Sequence, residues 1–177
     1  MFRTATHSAN RSATRGLTRR SALGAATALL LATALGFSHR AHATEPPINT
    51  LKNGLFGGRG TVAINGYDTV AYFTVGKPVK GLDTLATDWM GATWKFSSQN
   101  HLDLFKASPE KYAPQYGGYC AYGVTRGYLV KVEPEQFTVR DGKLYLNFDA
   151  DVQATWLKDP AGYIKDADGK YPALLKK

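Results

Sequence analysis

The sequence predicts a small α+β domain in which short antiparallel strands accompany two or three helices. Two observations lead to this prediction. Short β-like runs bounded by turn residues lie on both sides of a capped helical segment, and apolar and aromatic residues stay dense from residue 61 to residue 175. A stretch of about 115 residues is enough for one domain that buries well over half of its unfolded surface.

Three β-like runs come first along the domain. They cover residues 61–64, 70–75 and 93–96. The first two runs are rich in β-branched and aromatic residues and end at the turn signals Asn65-Gly66 and Gly76-Lys77-Pro78, whereas the third alternates apolar and polar residues. We therefore expect each run to form a strand.

A helix is predicted over residues 98–107. Ser98 is a suitable N-cap, and Leu102 and Phe105 share one helical face with His101. A further helical turn is predicted to begin at Ser108-Pro109-Glu110, where a cap residue is followed by proline and an acid.

The last part of the domain predicts a β-hairpin and a helix. Residues 137–140 and 143–147 flank Asp141-Gly142, a two-residue signal for a type I′ turn. Residues 149–158 then have the pattern of a capped amphipathic helix, which we expect to end at Asp159-Pro160.

The first 43 residues have the pattern of an export signal peptide. Arg19 and Arg20 precede an apolar run of about 16 residues, too short to span a bilayer comfortably. The run is followed by Ala41-His42-Ala43, a small-residue pattern that predicts cleavage after Ala43. The paired arginines are similar to a twin-arginine signal, and the alternatives are an ordinary secretory signal or an uncleaved anchor. We expect the mature protein in the periplasm with no stable membrane span.

Charge and composition exclude several classes of function for the mature chain. The full chain has a net charge of +8, but residues 1–43 contain six arginines and no acid. Sixteen basic and fourteen acidic residues remain, too balanced to drive nucleic-acid binding. One Cys and one His cannot form a structural zinc site, and a lone thiol cannot close a disulfide loop. Residues 44–60, rich in Pro and Gly, predict a flexible linker before the domain at 61–175.

Several blocks of the sequence are similar to one family. The runs Gly66-Tyr67-Asp68-Thr69-Val70-Ala71-Tyr72-Phe73, Gly91-Ala92-Thr93-Trp94-Lys95-Phe96-Ser97-Ser98 and Tyr116-Gly117-Gly118-Tyr119-Cys120-Ala121-Tyr122 resemble the YHS domain in order. The last run, together with residues 141–147, resembles the exported branch of that family, the YHS domain-containing (seleno)proteins.

The resemblance implies an α+β fold and metal handling. YHS domains accompany heavy-metal transport ATPases and metal-dependent monooxygenases, and the metal-handling members carry cysteines early and near the strand-to-helix junction. In this chain those regions hold Val70 and Ala71, then Ser97, Ser98 and Asn100, so that thiol route to a metal is missing. Some relatives of the exported branch carry selenocysteine at the position of Cys120, which implies a preference for a soft, nucleophilic atom there.

Three side chains are candidates for the chemistry of the domain. Cys120 is either a soft metal ligand and redox thiol or a small buried hydrophobe. His101, in the first turn of its helix, is either a ligand or base in its neutral form, or a surface or capping residue. Asp68 is either a third ligand or the acceptor in an Asx turn. No phosphate-binding loop, Ser-His-Asp order or paired-carboxylate motif is recognisable in the sequence.

Three functions follow as hypotheses. The first is a binding protein, rather than an enzyme, for a transition metal with copper as first choice, through a site of Cys120, His101 and Asp68. Copper(I) tolerates two or three ligands, so sparse thiols exclude zinc more firmly than copper. The second is a redox protein in which Cys120 reacts with a small thiol or is oxidised to sulfenic acid. The third is a module that binds a protein partner and uses Cys120 only for packing.

Overall fold

A computed structural model describes residues 45–52 and 58–177 of the chain. The predicted export residues Arg19, Arg20, Ala41 and Ala43 lie outside these ranges, so export and cleavage stay predictions. Among the helices of the described ranges, none has the length and apolar character needed to cross a membrane.

The described chain is an α+β domain, which confirms the predicted fold class. Six α-helices and four strands occur in the described residues, with 3₁₀ turns at Ala63–Gly66 and Gln115–Gly118. The elements in chain order are α1 (Ala71–Thr74), β1 (Leu82–Trp89), β2 (Ala92–Phe96), α2 (Gln99–Ala107), α3 (Pro109–Tyr112), α4 (Ala121–Thr125), β3 (Glu133–Arg140), β4 (Lys143–Asn147), α5 (Ala150–Trp156) and α6 (Pro160–Leu174).

The four strands form two antiparallel hairpins. Strand β1 pairs with β2, and β3 pairs with β4, each with an irregularity in register near the start of the first strand. The predicted hairpin over residues 137–147 is confirmed, with Asp141 and Gly142 at φ 51° and 70°, as a type I′ turn requires. Strand β2 is also confirmed, whereas the exposed strand β1 shows no alternation that sequence patterning detects.

Two of the predicted strands are wrong. In residues 61–64, only Val62 pairs, in a single bridge to Thr93, and the chain then turns at the predicted Asn65-Gly66. The run at residues 70–75 forms α1 instead of a strand. Its β-branched residues are overridden because the buried carboxylate of Asp68 accepts hydrogen bonds from the first amides of this segment, which favours a helical turn.

The predicted helices are confirmed and extended. The Ser98 hydroxyl accepts the His101 amide and caps α2, and Asp149 caps α5. The structure adds α4 and α6 to the predicted set. Asp159-Pro160, which marks the end of α5 in the sequence, also begins α6, because Asp159 accepts the Gly162 amide and Pro160 lies in the first turn.

The core consists of two apolar clusters. One contains Trp94, Phe96 and Phe105 with Leu144 and Leu146, and the second packs tyrosines and Trp156 against α6. Strand β4 lies between them, since Leu144 and Leu146 belong to the first cluster and Tyr145 to the second. The side chains on both faces of this strand are therefore buried.

Part of the segment before residue 61 is packed against the domain. The sequence predicts a flexible linker at residues 44–60, but Ile48, Asn49 and Thr50 are 2–5% exposed. The Asn49 side chain donates to the Gly118 carbonyl at 2.8 Å, and the Asn49 amide donates to Gly117 at the same distance. Burial and these hydrogen bonds place residues 48–50 within the folded domain.

Candidate functional site

The carboxylate of Asp68 is the centre of the most polar buried cluster in the described chain. Asp68 is 0% exposed. One oxygen accepts the amides of Val70 and Ala71, at 2.9 and 3.2 Å, and so holds the start of α1. The other accepts the Ser97 amide at 2.8 Å and the Ser97 hydroxyl at 2.6 Å, at the end of β2.

His101 is the fifth donor to the same carboxylate. Its Nδ1 lies 2.6 Å from Asp68 Oδ2, and its side chain is 11% exposed. The carboxylate of Asp68 has no proton to donate, so it can only accept a hydrogen bond from the ring. Nδ1 therefore carries a proton. The cap that Ser98 forms on α2 fixes the backbone of His101 and thereby the direction of the ring.

The other ring nitrogen of His101 faces the hydroxyl of a residue at the surface. Its Nε2 lies 3.0 Å from Oγ1 of Thr74, the last residue of α1, which is exposed. The same hydroxyl lies 3.1 Å from the Val70 carbonyl. In the neutral ring Nε2 accepts the Thr74 proton, and in the imidazolium Nε2 donates while that proton turns to Val70. The Val70 carbonyl and a bare His101 Nε2 thus compete for the one proton of the Thr74 hydroxyl.

The hydrogen bonds of Asp68 change its expected role. A carboxylate offers about four lone-pair positions, and five donors occupy those of Asp68. No lone pair remains for a metal ion without loss of the bonds that hold α1 and β2. Asp68 therefore positions His101. Carboxylates do the same for metal-binding histidines when they accept the proton of the ring nitrogen that does not bind the metal.

Cys120 lies at the start of α4, in the first apolar cluster. Its sulfur accepts the Gly123 amide at 3.3 Å and caps the helix, and the residue is 1% exposed. Burial raises the pKa of the thiol, and the backbone amides of Gly123, Phe148 and Tyr122 oppose that effect only in part. Both observations favour the structural interpretation of Cys120 over that of a ready nucleophile.

A buried amide accompanies the thiol. Cys120 Sγ lies 3.8 Å from Oδ1 of Asn147, a residue that is 0% exposed at the end of β4. The Nδ2 of Asn147 has no hydrogen-bond partner in the described part of the chain. None of the hydrogen bonds of Cys120 in the described residues involves His101 or Asp68.

The structure thus unites two of the three sequence candidates. Asp68 and His101 form a buried pair, and Cys120 belongs to a separate set of contacts. In the ranges that the structure describes, no three side chains of His, Cys, Asp or Glu are grouped so that they could hold a metal ion.

Sequence reasoning misses Thr74 and Ser97 as members of the site. The sequence does not reveal Thr74, because its segment has the composition of a strand. In a strand the Thr74 hydroxyl would not reach the carbonyl four residues earlier. Ser97 lies beside the predicted cap Ser98. A serine pair before a helix is a weak signal that one hydroxyl caps the helix and the other is free to bind elsewhere.

The comparisons with known proteins point to one family. Residues 70–116 match the family model of the YHS domain. The matched range includes Thr74, Ser97 and His101, begins two residues after Asp68 and ends four residues before Cys120. No curated protein and no solved structure matches the chain.

Proposed function

Because this chain contains a YHS domain across residues 70–116, we propose that it is an exported protein that binds a transition metal ion, with copper as first choice, in the periplasm. YHS domains are often linked to the handling of copper and other metals. The observation that supports the proposal in this chain is the Asp68–His101 pair, which directs Nε2 towards the surface at Thr74.

His101 Nε2 is the nitrogen that fits a metal ion. A metal-binding histidine typically donates its other ring proton to a carboxylate, which fixes the tautomer and increases the basicity of the ligand. Asp68 accepts that proton at 2.6 Å. The neighbour of Nε2 is the neutral hydroxyl of Thr74, which a metal ion would displace without the loss of an ion pair. Borderline and soft metal ions such as copper accept imidazole nitrogen readily.

Cys120 is the second candidate ligand, but its sulfur is buried and could bind a metal only if the start of α4 opened. The sulfur is a soft donor suited to copper(I), which tolerates few ligands. A metal at Sγ would replace the Gly123 amide and open the first turn of α4. We therefore assign metal binding to His101 Nε2, which lies next to the exposed residue Thr74. Exchangeable ligands, including small thiols, would fill the remaining positions around copper.

The experiment is the copper content of the protein recovered from the periplasm, measured by mass spectrometry for the wild type, His101→Gln and Cys120→Ser. Recovery after export removes the leader histidines His7, His39 and His42, which would bind copper themselves. Asp103→Asn, an exposed change on the same helix, is the matched control.

We expect copper in the wild type and in Asp103→Asn, and its loss in His101→Gln. Retention in Cys120→Ser would assign the site to His101 alone, and loss in both variants would make Cys120 the second ligand. Metal-free wild type, purified without chelators, would contradict the proposal. The mass of the same sample reports the cleavage site, for which we expect Thr44 as the first residue.

A further inference from the structure

Asp68, His101 and Thr74 form a continuous hydrogen-bonded line from the interior to the surface. Asp68 Oδ2 lies 2.6 Å from His101 Nδ1, and His101 Nε2 lies 3.0 Å from Thr74 Oγ1. We propose that Thr74 is an activated nucleophile for acyl transfer, with His101 as its general base and Asp68 as the residue that positions the ring. This activity goes beyond metal binding and does not depend on it.

The order of groups is that of an acid–base–nucleophile triad. Such a site is recognised by a nucleophile within hydrogen-bond reach of a base, and by a third group that orients the base. Here the third group is held by four further hydrogen bonds from α1 and β2. The Nδ1 proton is therefore held in the hydrogen bond to Asp68, and in the neutral ring Nε2 is the acceptor that faces the Thr74 hydroxyl.

The position of Thr74 allows a substrate to reach its hydroxyl. Thr74 is exposed and ends α1, and Val75, which follows it, is 49% exposed. Gly76 comes next, and a Cβ atom at this position would meet no other atom within 4 Å. Open surface thus adjoins Thr74, whose hydroxyl contacts the Val70 carbonyl and His101 Nε2, and we expect a small, activated acyl donor such as an aryl acetate to reach it.

The reaction balances with the groups present. Thr74 Oγ1 attacks the carbonyl carbon of the ester while its proton passes to His101 Nε2. The bond from that carbon to the leaving oxygen breaks, and the imidazolium returns the proton to the leaving group. The product is an ester of Thr74, and Asp68 stabilises the imidazolium during the step.

The test treats the full chain with p-nitrophenyl acetate in the presence of a metal chelator and measures acetylation residue by residue by mass spectrometry. Thr84 is the matched control, because it is an exposed threonine in β1 that makes no histidine contact among the described hydrogen bonds. Hydroxylamine removes threonine esters faster than lysine amides and so identifies the product.

We expect acetylation of Thr74 to exceed that of Thr84 by about 100-fold or more, the contribution typical of general base catalysis. His101→Gln and Asp68→Asn should reduce Thr74 towards the Thr84 rate, Thr74→Val should abolish it, and Thr74→Ser should restore it. Circular dichroism confirms that each variant is folded.

Equal acetylation of Thr74 and Thr84 in the folded wild type would overturn the proposal, as would an unchanged Thr74 rate in folded His101→Gln. The chelator separates this result from the copper proposal, so acylation can fail while copper binding stands. Copper at Nε2 would occupy the base, so we also expect added copper to suppress acetylation of Thr74 and not of Thr84.

Discussion

At the scale of single residues, the three candidates differ in burial and in whether their polar atoms can exchange partners. They are Asp68, His101 and Cys120. Asp68 is buried and both of its oxygens accept hydrogen bonds, whereas one nitrogen of His101 lies beside the hydroxyl of the exposed residue Thr74. Cys120 is enclosed and its thiol bonds a helix amide. Of the three, His101 is the residue that can change partner without rearrangement of the backbone.

The first prediction concerns the reactivity of Cys120. Burial raises the pKa of its thiol, so near pH 8 the native protein holds less thiolate than an ordinary cysteine. We expect iodoacetamide to modify the native protein at least about tenfold more slowly than the chain unfolded in guanidinium. The rate should keep rising with pH above the ordinary thiol value of about 8.5.

Because Cys120 is the single cysteine, the alkylation rate refers to one site, and Cys120→Ser supplies the blank. Rapid labelling of the native protein at pH 7 would contradict the structural interpretation. That result would instead favour the hypothesis of a thiol redox protein.

At the scale of elements, Asp68 joins two parts of the chain that are distant in sequence. Its two oxygens connect the start of α1 to the end of β2 and, through His101, to the first turn of α2. Removal of this acceptor leaves five donors without their partner, of which several are buried.

We expect Asp68→Ala to lower the free energy of unfolding by about 3 kcal/mol or more, the range for removal of one partner of a buried, hydrogen-bonded charge. Asp103→Ala, an exposed change on α2, should stay within about 0.5 kcal/mol of the wild type. Denaturant unfolding measures the free energy of unfolding of both variants.

If Asp68→Ala is too unstable to purify, Ser97→Ala should still show a loss of about 1 kcal/mol in the free energy of unfolding. A difference between Asp68→Ala and Asp103→Ala of less than about 1 kcal/mol would contradict the described role.

The elements that sequence predicts well are those with local signals. Asp141-Gly142 fixes the second hairpin and Ser98 fixes α2, because each depends on residues within a few positions. The composition of residues 70–75 favours a strand, whereas the helix that they form is held by hydrogen bonds to the buried carboxylate of Asp68, which lies outside the run. The pairing of Asp68 with His101 spans 33 positions and has no local signature.

At the scale of the whole molecule, buried and half-buried tyrosines connect the clusters to the backbone. Tyr72 donates its hydroxyl to the Pro134 carbonyl, and Tyr171 donates to the carbonyl of Pro47. Burial raises the pKa of the phenols of Tyr72, Tyr116 and Tyr171. The folded protein therefore retains these protons at a pH at which the unfolded chain releases them.

This difference predicts destabilisation by alkali. Above about pH 10, the ordinary tyrosine pKa, the unfolded chain binds fewer protons than the native protein, so the free energy of unfolding falls as pH rises. Tyr72→Phe should reduce that slope by about 1.4 kcal/mol per pH unit and cost about 1 kcal/mol at neutral pH. Tyr128→Phe is the control, since Tyr128 is 64% exposed. A slope unaffected by Tyr72→Phe would show that another group controls alkaline unfolding.

The central claim is that Asp68 holds Nδ1 of the His101 ring, so that only Nε2, beside the Thr74 hydroxyl, is available to a ligand. The most direct measurement is the ¹⁵N NMR spectrum of the His101 ring in residues 44–177, the part predicted to remain after cleavage, before and after addition of copper(I). We expect a protonated Nδ1 in both spectra and a change at Nε2 on addition of copper, which Cys120→Ser leaves in place. A proton on Nε2 with a bare Nδ1, or a ring unchanged by copper, would contradict the account.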